Sequence, residues 1–217
     1  GSVRTPRNVV RSPGDSGSYV RLHDLTGTGP FRGIVRTQVS WPISEDREVR
    51  LLHAPLTVDG TGTAPADFQF AGQGFVGGAP VDARYTFNSY RATVRRRIVK
   101  DERTTAWAGI TLKIRDAGIV LRQGGTLGRD TNVGVVPLVH AAGTTRIGKQ
   151  WHLVGDIDGL AAPMGRAIDF GLRLQYALPD GTRIGTGLRT LEGGADNRRV
   201  FTFAWLNYTL LSVTRTF

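Results

Sequence analysis

From Ala167 to Leu178 the chain reads AIDFGLRLQYAL, and its side chains alternate without a break. Ile168, Phe170, Leu172, Leu174, Tyr176 and Leu178 fall on one face, while Asp169, Gly171, Arg173 and Gln175 fall on the other. A period of two belongs to an extended strand, and no helix places this set on one side. The turn Pro179-Asp180-Gly181 follows, and TRIGTGLRT then repeats the pattern with Ile184, Thr186 and Leu188 opposite Arg183, Gly185, Gly187 and Arg189. The pair reads as a hairpin with one apolar face.

The same rule recurs upstream. In FRGIVRTQVSW, Phe31, Val35, Val39 and Trp41 oppose Arg32, Arg36, Gln38 and Ser40. Further on, Ile110, Leu112 and Ile114 oppose Thr111, Lys113 and Arg115, and Trp151, Leu153 and Ile157 oppose His152, Asp156 and Asp158. The pattern predicts about ten strands, with about eight as the alternative, over 17–25, 31–42, 47–58, 83–100, 103–122, 131–145, 149–158, 166–178, 182–192 and 199–217. Short connections at SEDRE, KDE, TRIGK and PDG alternate with longer ones at 59–82, 123–130, 159–165 and 193–198, apart from a brief TGTGP at 26–30. No linker divides the chain. The expectation is an all-β protein forming one antiparallel up-and-down barrel over 17–217, with 1–16 as an N-terminal periplasmic segment.

Alternation alone does not say which face is inside, since a soluble barrel buries its apolar face and a membrane barrel turns it to lipid. Three features favour lipid. Long loops sort to one rim and tight turns to the other, as in outer-membrane barrels. Aromatics gather near strand ends, with Trp41, Trp151, Tyr176 and Phe217 toward the tight turns and Phe31, Phe170, Phe201 and Phe203 toward the loops, where the two water–lipid boundaries favour them. The polar face is made of Arg, Asp, Gly, Thr and Gln, which suits a paired interior better than a Lys/Glu-rich exterior. No run of about 18 apolar residues exists to form a spanning helix, and no signal-peptide pattern opens the chain. The absence of cysteine excludes a disulfide frame, a thiolate metal site and a cysteine nucleophile. A soluble lipocalin-like binding barrel is the alternative that solubility without detergent would revive.

The ending FAWLNYTLLSVTRTF resembles the closing strand of Gram-negative outer-membrane barrel proteins, an alternating apolar strand that finishes on Phe and is read by the barrel-assembly machinery. Thr209, Leu211, Val213 and Phe217 fit its lipid-facing row, and Arg215 departs from it. FNSYR at 87–91, KIRDA at 113–117, DGLAAP at 158–163 and LEGGADN at 191–197 are similar to a family of small bacterial outer-membrane barrels without an assigned activity. That resemblance implies fold and compartment and no reaction. The partners it implies are outer-membrane lipid, lipopolysaccharide and the assembly machinery, with both termini periplasmic.

Lys and Arg number 28 against 18 Asp and Glu. On the predicted inward face stand Arg21, Arg32, Arg36, Arg91, Arg95, Arg97, Lys113, Arg115, Arg173, Arg183 and Arg189, with only Asp156, Asp158 and Asp169 as acids. Two readings follow. Arg and Asp pair across the lumen as a structural plug, or the surplus positive charge makes a narrow passage or site for small anionic solutes. Anions, water, or Glu192 and Asp196 from the loop must supply the rest of the pairing.

Catalytic constellations are thin. Of His23, His53, His140 and His152, only His152 shares a predicted wall with Asp156 and Asp158, too many residues away for a direct pair. No cofactor or metal is expected, and a loop-rim hydrolase is the enzymatic alternative. Gly124-Gly125 and Gly193-Gly194 read as turns. Arg95-Arg96-Arg97 must put one guanidinium on the apolar face, where Arg96 near the KDE turn would snorkel to the boundary or meet lipid phosphate. With only Tyr90 interleaved, the same basic stretch does not suit nucleic acid.

Overall fold

A computed structural model describes residues 2–26, 32–162, 165–196, 198 and 200–216. Its elements are β1 (Ser2–Arg11), β2 (Val20–Arg21), α1 (Leu22–Thr26), β3 (Arg32–Gly33), β4 (Thr37–Pro42), β5 (Arg47–Ala54), β6 (Thr57–Thr63), β7 (Phe68–Phe70), β8 (Gln73–Phe75), β9 (Pro80–Lys100), β10 (Thr104–Gln123), β11 (Thr126–Arg146), β12 (Trp151–Ala162), β13 (Gly165–Ala177), β14 (Thr182–Asp196) and β15 (Phe201–Arg215). Thirteen of the strands form one antiparallel sheet, in which β9 to β15 follow one another as neighbours, β5 and β6 both pair with β9, and β1 pairs with β15. Strands β7 and β8 form a separate hairpin.

Strands outnumber the ten expected, and the reason is local. Pro55 has no backbone N–H, so the stretch predicted as one strand over 47–58 is split into β5 and β6. The predicted strand over 17–25 holds only the two residues of β2 before the chain turns into α1. The region 59–82, expected as a loop, contains most of β6, all of β7 and β8, and the start of β9. Strands β10 and β11 run on through 123–130 and meet at a turn where Gly124 takes φ +54°, the left-handed region that favours glycine. Residues 1–16 are no separate segment either: β1 pairs with β15 from Ser2↔Thr209 to Arg11↔Phe201, so it begins partway along the wall. The 26–30 connection lies mostly outside the described residues, as do Phe31 and Phe217.

Tight turns close by backbone hydrogen bonds from Ile43 to Arg47, Asp101 to Thr104, Ile147 to Trp151 and Leu178 to Thr182. The sheet does not close into the expected barrel by a continuous ladder. Between its edges, β3 pairs with β1 over two residues and β4 pairs with β5 over six, while 34–36 lies in neither ladder. Nearer the loops, α1 packs against β6, β9 and β1. The approach is close enough that a Cβ at Gly60 would sit 2.4 Å from the Thr26 carbonyl oxygen, and one at Gly62 would sit 2.1 Å from that of Asp24.

A second break in the wall separates β11 from β12. Their ladder runs from Arg146↔His152 to Val139↔Gly159 and stops there. Beyond it, β11 continues to Thr126 with β10 alone, while β12 continues to Ala162 with β13 alone. Pro137, two residues past the last pair, has no N–H to offer a neighbour.

Along the longest strands the two faces exchange character. Toward the loops β9 buries Val81, Ala83 and Tyr85 and exposes Asp82 and Arg84; toward the tight turns it buries Ser89, Arg91 and Thr93 and exposes Tyr90, Val94 and Ile98. Strand β10 does the same, burying Ile119 and Leu121 at one end and Thr111 and Lys113 at the other, where Ile110, Leu112 and Ile114 face outward. Leu22 and Leu25 of α1, Phe70 and Phe75 of the β7–β8 hairpin, and Leu191 and Leu206 complete the apolar core at the loop end.

Candidate functional site

Where the interior turns polar, a charged cluster crosses it from β9 to β12, β13 and β14. Arg91 of β9 donates through Nη1 to Asp158 Oδ2 at 2.8 Å and through Nη2 to Asp169 Oδ2. Arg189 of β14 donates to Asp169 Oδ1 and to Asp156 Oδ2, both at 2.5 Å. Arg173 Nη2 reaches Asp156 Oδ1 at 3.2 Å, and Arg36 Nη1, from the link between β3 and β4, lies 3.6 Å from Asp169. Each carboxylate thus faces at least two cationic or hydrogen-bonding partners, which is what charges buried away from water require. Arg91, Asp158 and Asp169 are 1–3% exposed.

Glycine makes the space. A Cβ at Gly171 would lie 2.5 Å from Arg189 Nη2, and one at Gly187 would lie 2.7 Å from Arg173 Cα. The Arg-rich strands β13 and β14 therefore alternate large guanidinium groups with residues that have no side chain.

His140, Arg50 and two threonines extend the cluster. Thr111 donates to Asp158 Oδ1 at 2.8 Å and lies 2.8 Å from Thr93 Oγ1. His140 Nδ1 donates to the same Asp158 oxygen at 2.7 Å, and Arg50 Nη2 lies 3.3 Å from both ring nitrogens of His140. The histidine beside a carboxylate is thus His140, across the β11–β12 ladder at His140↔Asp158, and not His152. Its hydrogen-bonded neighbours are the carboxylate and a guanidinium, so the threonine hydroxyl serves Asp158 rather than the imidazole.

The remaining residues read as lumenal occupy other places. Arg95 pairs with Glu48 at 2.5 Å and lies over the Trp107 ring at 4.6 Å, with Arg97 at 5.6 Å from the same ring. Arg115 Nη2 donates to Asn132 at 2.7 Å, while its buried Nε has no acceptor among the described residues. Lys113 is buried near the Phe87 ring. Arg21 is exposed on β2, outside the cluster. Glu192 points outward to Arg166 at 2.5 Å, so it balances no lumenal charge. Arg50, Glu48 and His140 were missed, although REVRLLHA carries the same alternation, with Glu48, Arg50 and Leu52 opposite Val49 and Leu51.

On the outer face, Trp41 and Trp151 are exposed, and Trp151 meets Tyr176 edge to face at 5.1 Å. Tyr176 donates to Gln150 in the adjoining turn. Toward the loops Phe203 lies under Arg166 at 5.3 Å, Phe201 packs on Tyr19 at 5.4 Å, and Trp205, not anticipated from the sequence, donates to Thr190 at 2.8 Å. Trp205 aligns through β14 with Ile168, and Ile168 to Tyr176 spans nine residues of β13. A tilted strand needs about 9–11 residues to cross the hydrocarbon of a bilayer. No helix among the described residues is long and apolar enough to cross a membrane.

No family model matches the chain, and no curated protein does. A solved structure similar to it is a mutant of the TodX monoaromatic hydrocarbon channel, at 13% identity and a TM-score of 0.37. The match covers 84% of this chain and 49% of that one, so the chain spans about half its length. At that distance the likeness carries nothing about activity.

Proposed function

We propose that the chain is an integral outer-membrane β protein that holds an anionic solute on the loop side of a charged septum, rather than passing it through. The observation that carries this reading is the exchange of faces. On the tight-turn half, Leu172, Val94, Ile110 and Val213 point outward and are 43–76% exposed, while Arg91, Asp158 and Asp169 are buried behind them. An arrangement with apolar side chains out and paired charges in suits lipid and is costly in water. The septum supports holding over conduction, because its carboxylates and guanidinium groups meet across the interior. Surplus positive charge around it, from Lys113, Arg115 and Arg36, supports an anion as the solute. In this reading the tight turns and the end of β15 are periplasmic, and β15 is the strand presented to the assembly machinery.

Planar-bilayer recording of the refolded protein under a salt gradient tests the septum. A stably inserted protein without steady conductance is the expected result. Persistent open-channel current from the wild type would overturn it and return the anion-channel alternative.

A further inference from the structure

On the loop side of the septum lies a cavity of about 450 Å3, within the range of small-molecule sites. Its inner wall is apolar, formed by Val10, Tyr85, Ile119, Leu191 and Ala204. Of the carboxylates that line it, Asp158 and Asp169 are already held by Arg91, His140 and Arg189, Asp130 accepts from Ser12, and Glu192 pairs with Arg166. Lys113 is different. It is 4% exposed, it also lines the cavity, and among the described residues its ammonium has neither an ion pair nor a hydrogen bond, only the Phe87 ring with its centroid 5.0 Å away. Arg115 lines the same cavity, and its buried Nε has no acceptor among the described residues.

An ammonium with three donors and no acceptor is costly to bury, and the cost falls when an anion arrives. The walls restrict which anion. Phosphate or chloride would satisfy Lys113 and leave the apolar wall facing water, whereas a neutral hydrocarbon would cover the wall and leave Lys113 unpaired. The cavity is also lined by Val135, Pro137 and Ile168, whose side chains belong to the outer face of β11 and β13. Residues from both faces of one wall meet in a cavity only where the wall parts, and here the β11–β12 ladder has ended. The mouth therefore lies within the outer apolar belt.

We infer that this cavity binds a monocarboxylate with an apolar body, its carboxylate on Lys113 and Arg115 and its body along the wall of Tyr85, Ile119 and Leu191. The assignment rests on the outer-membrane reading above and names the solute class for it. The full chain, refolded into lipid nanodiscs, is titrated with decanoate labelled with 13C at the carboxyl carbon, and with decanol and inorganic phosphate as competitors. Decanoate gives a shifted carboxyl resonance that phosphate does not displace. Lys113→Met weakens decanoate roughly tenfold and leaves decanol unchanged, while Lys113→Arg retains decanoate, which shows that the site still folds. A silent wild type in which phosphate displaces decanoate, or in which Lys113→Met binds it as tightly as before, overturns the assignment and leaves the septum standing. A conducting wild type that keeps the decanoate pattern overturns the septum and leaves the assignment standing.

Discussion

The two halves of β9 and β10 are made of the same kind of strand and obey opposite rules. Toward the loops, burial of Tyr85, Ile119 and Leu121 beside Leu22 and Phe70 is the arrangement of a water-soluble core, and hydrophobic transfer from water drives it. Toward the tight turns, the interior is Arg91, Thr93, Thr111 and Lys113, and the apolar side chains stand outside. With lipid outside, burial of apolar surface would give no reason to collapse inward there, and the charges of the interior must pair with one another. On the outer-membrane reading proposed above, what changes between the halves is the medium outside the wall. The sheet's hydrogen bonds pass through the boundary unchanged, as the unbroken β9–β10 register from Trp107↔Arg97 to Arg122↔Asp82 shows.

The largest effect expected on this comparison comes from opening the septum. Asp169→Ala leaves Arg91, Arg189 and Arg36 around an empty position, and breaking a buried pair of this kind costs about 3–5 kcal/mol. Urea unfolding of the variant in liposomes measures it; a change under about 1 kcal/mol would mean the septum is solvated and the halves less different than drawn.

A matched pair of surface substitutions sharpens the boundary. Leu172→Arg, on the outer face of the tight-turn half, is expected to cost about 2–4 kcal/mol, the amount for arginine at the bilayer midplane. Thr86→Arg, on the outer face of β9 between Arg84 and Asn88, is expected to fall within about 0.5 kcal/mol of wild type. Equal costs at both positions would place both halves in one medium.

The smallest effect belongs to the turn after β9. Asp101 accepts backbone N–H groups from Arg103 and Thr104 at 2.8 and 2.7 Å, and those bonds hold its carboxyl below the usual range. A depressed folded value means the contribution is present above the unfolded Asp range and is lost as pH falls through the folded one. Asp101→Ala should therefore slightly lower stability near neutrality and match wild type in strong acid. A difference that persists unchanged into strong acid would assign the effect to something other than the carboxylate.

Much of the tight-turn half was legible because there the alternation is regular and the turns carry Asp, Gly and Pro. Asp156, Asp158, Asp169, Arg173 and Arg189 fall on one face of strands whose opposite face is uniformly apolar, and the chain has nowhere else to put them. The loop half hid its structure for physical reasons. Its inward side chains are apolar like the outward ones of the other half, so Val81, Ala83 and Tyr85 carry no sign of which face they serve. Strand β1, SVRTPRNVVR, shows no alternation, and α1 is five residues long, too short for a helical period to emerge. Arg50 and His140 escaped because each belongs to the septum only through a partner distant in sequence, His140 through Asp158 and Arg50 through His140.

The pairing of β1 with β15 also sets an order of events. Hairpins such as β10–β11 join residues close in sequence, from Gln123↔Thr126 outward, and can zip as soon as their turn forms. The contact Ser2↔Thr209 joins residues far apart in sequence, so its loop-closure entropy is met only after the intervening wall has drawn the two strands together. A nascent sheet consequently waits with the free edges of β1 and β15 unpaired, and that interval is when the chain is most exposed to joining a strand from another molecule instead of its own.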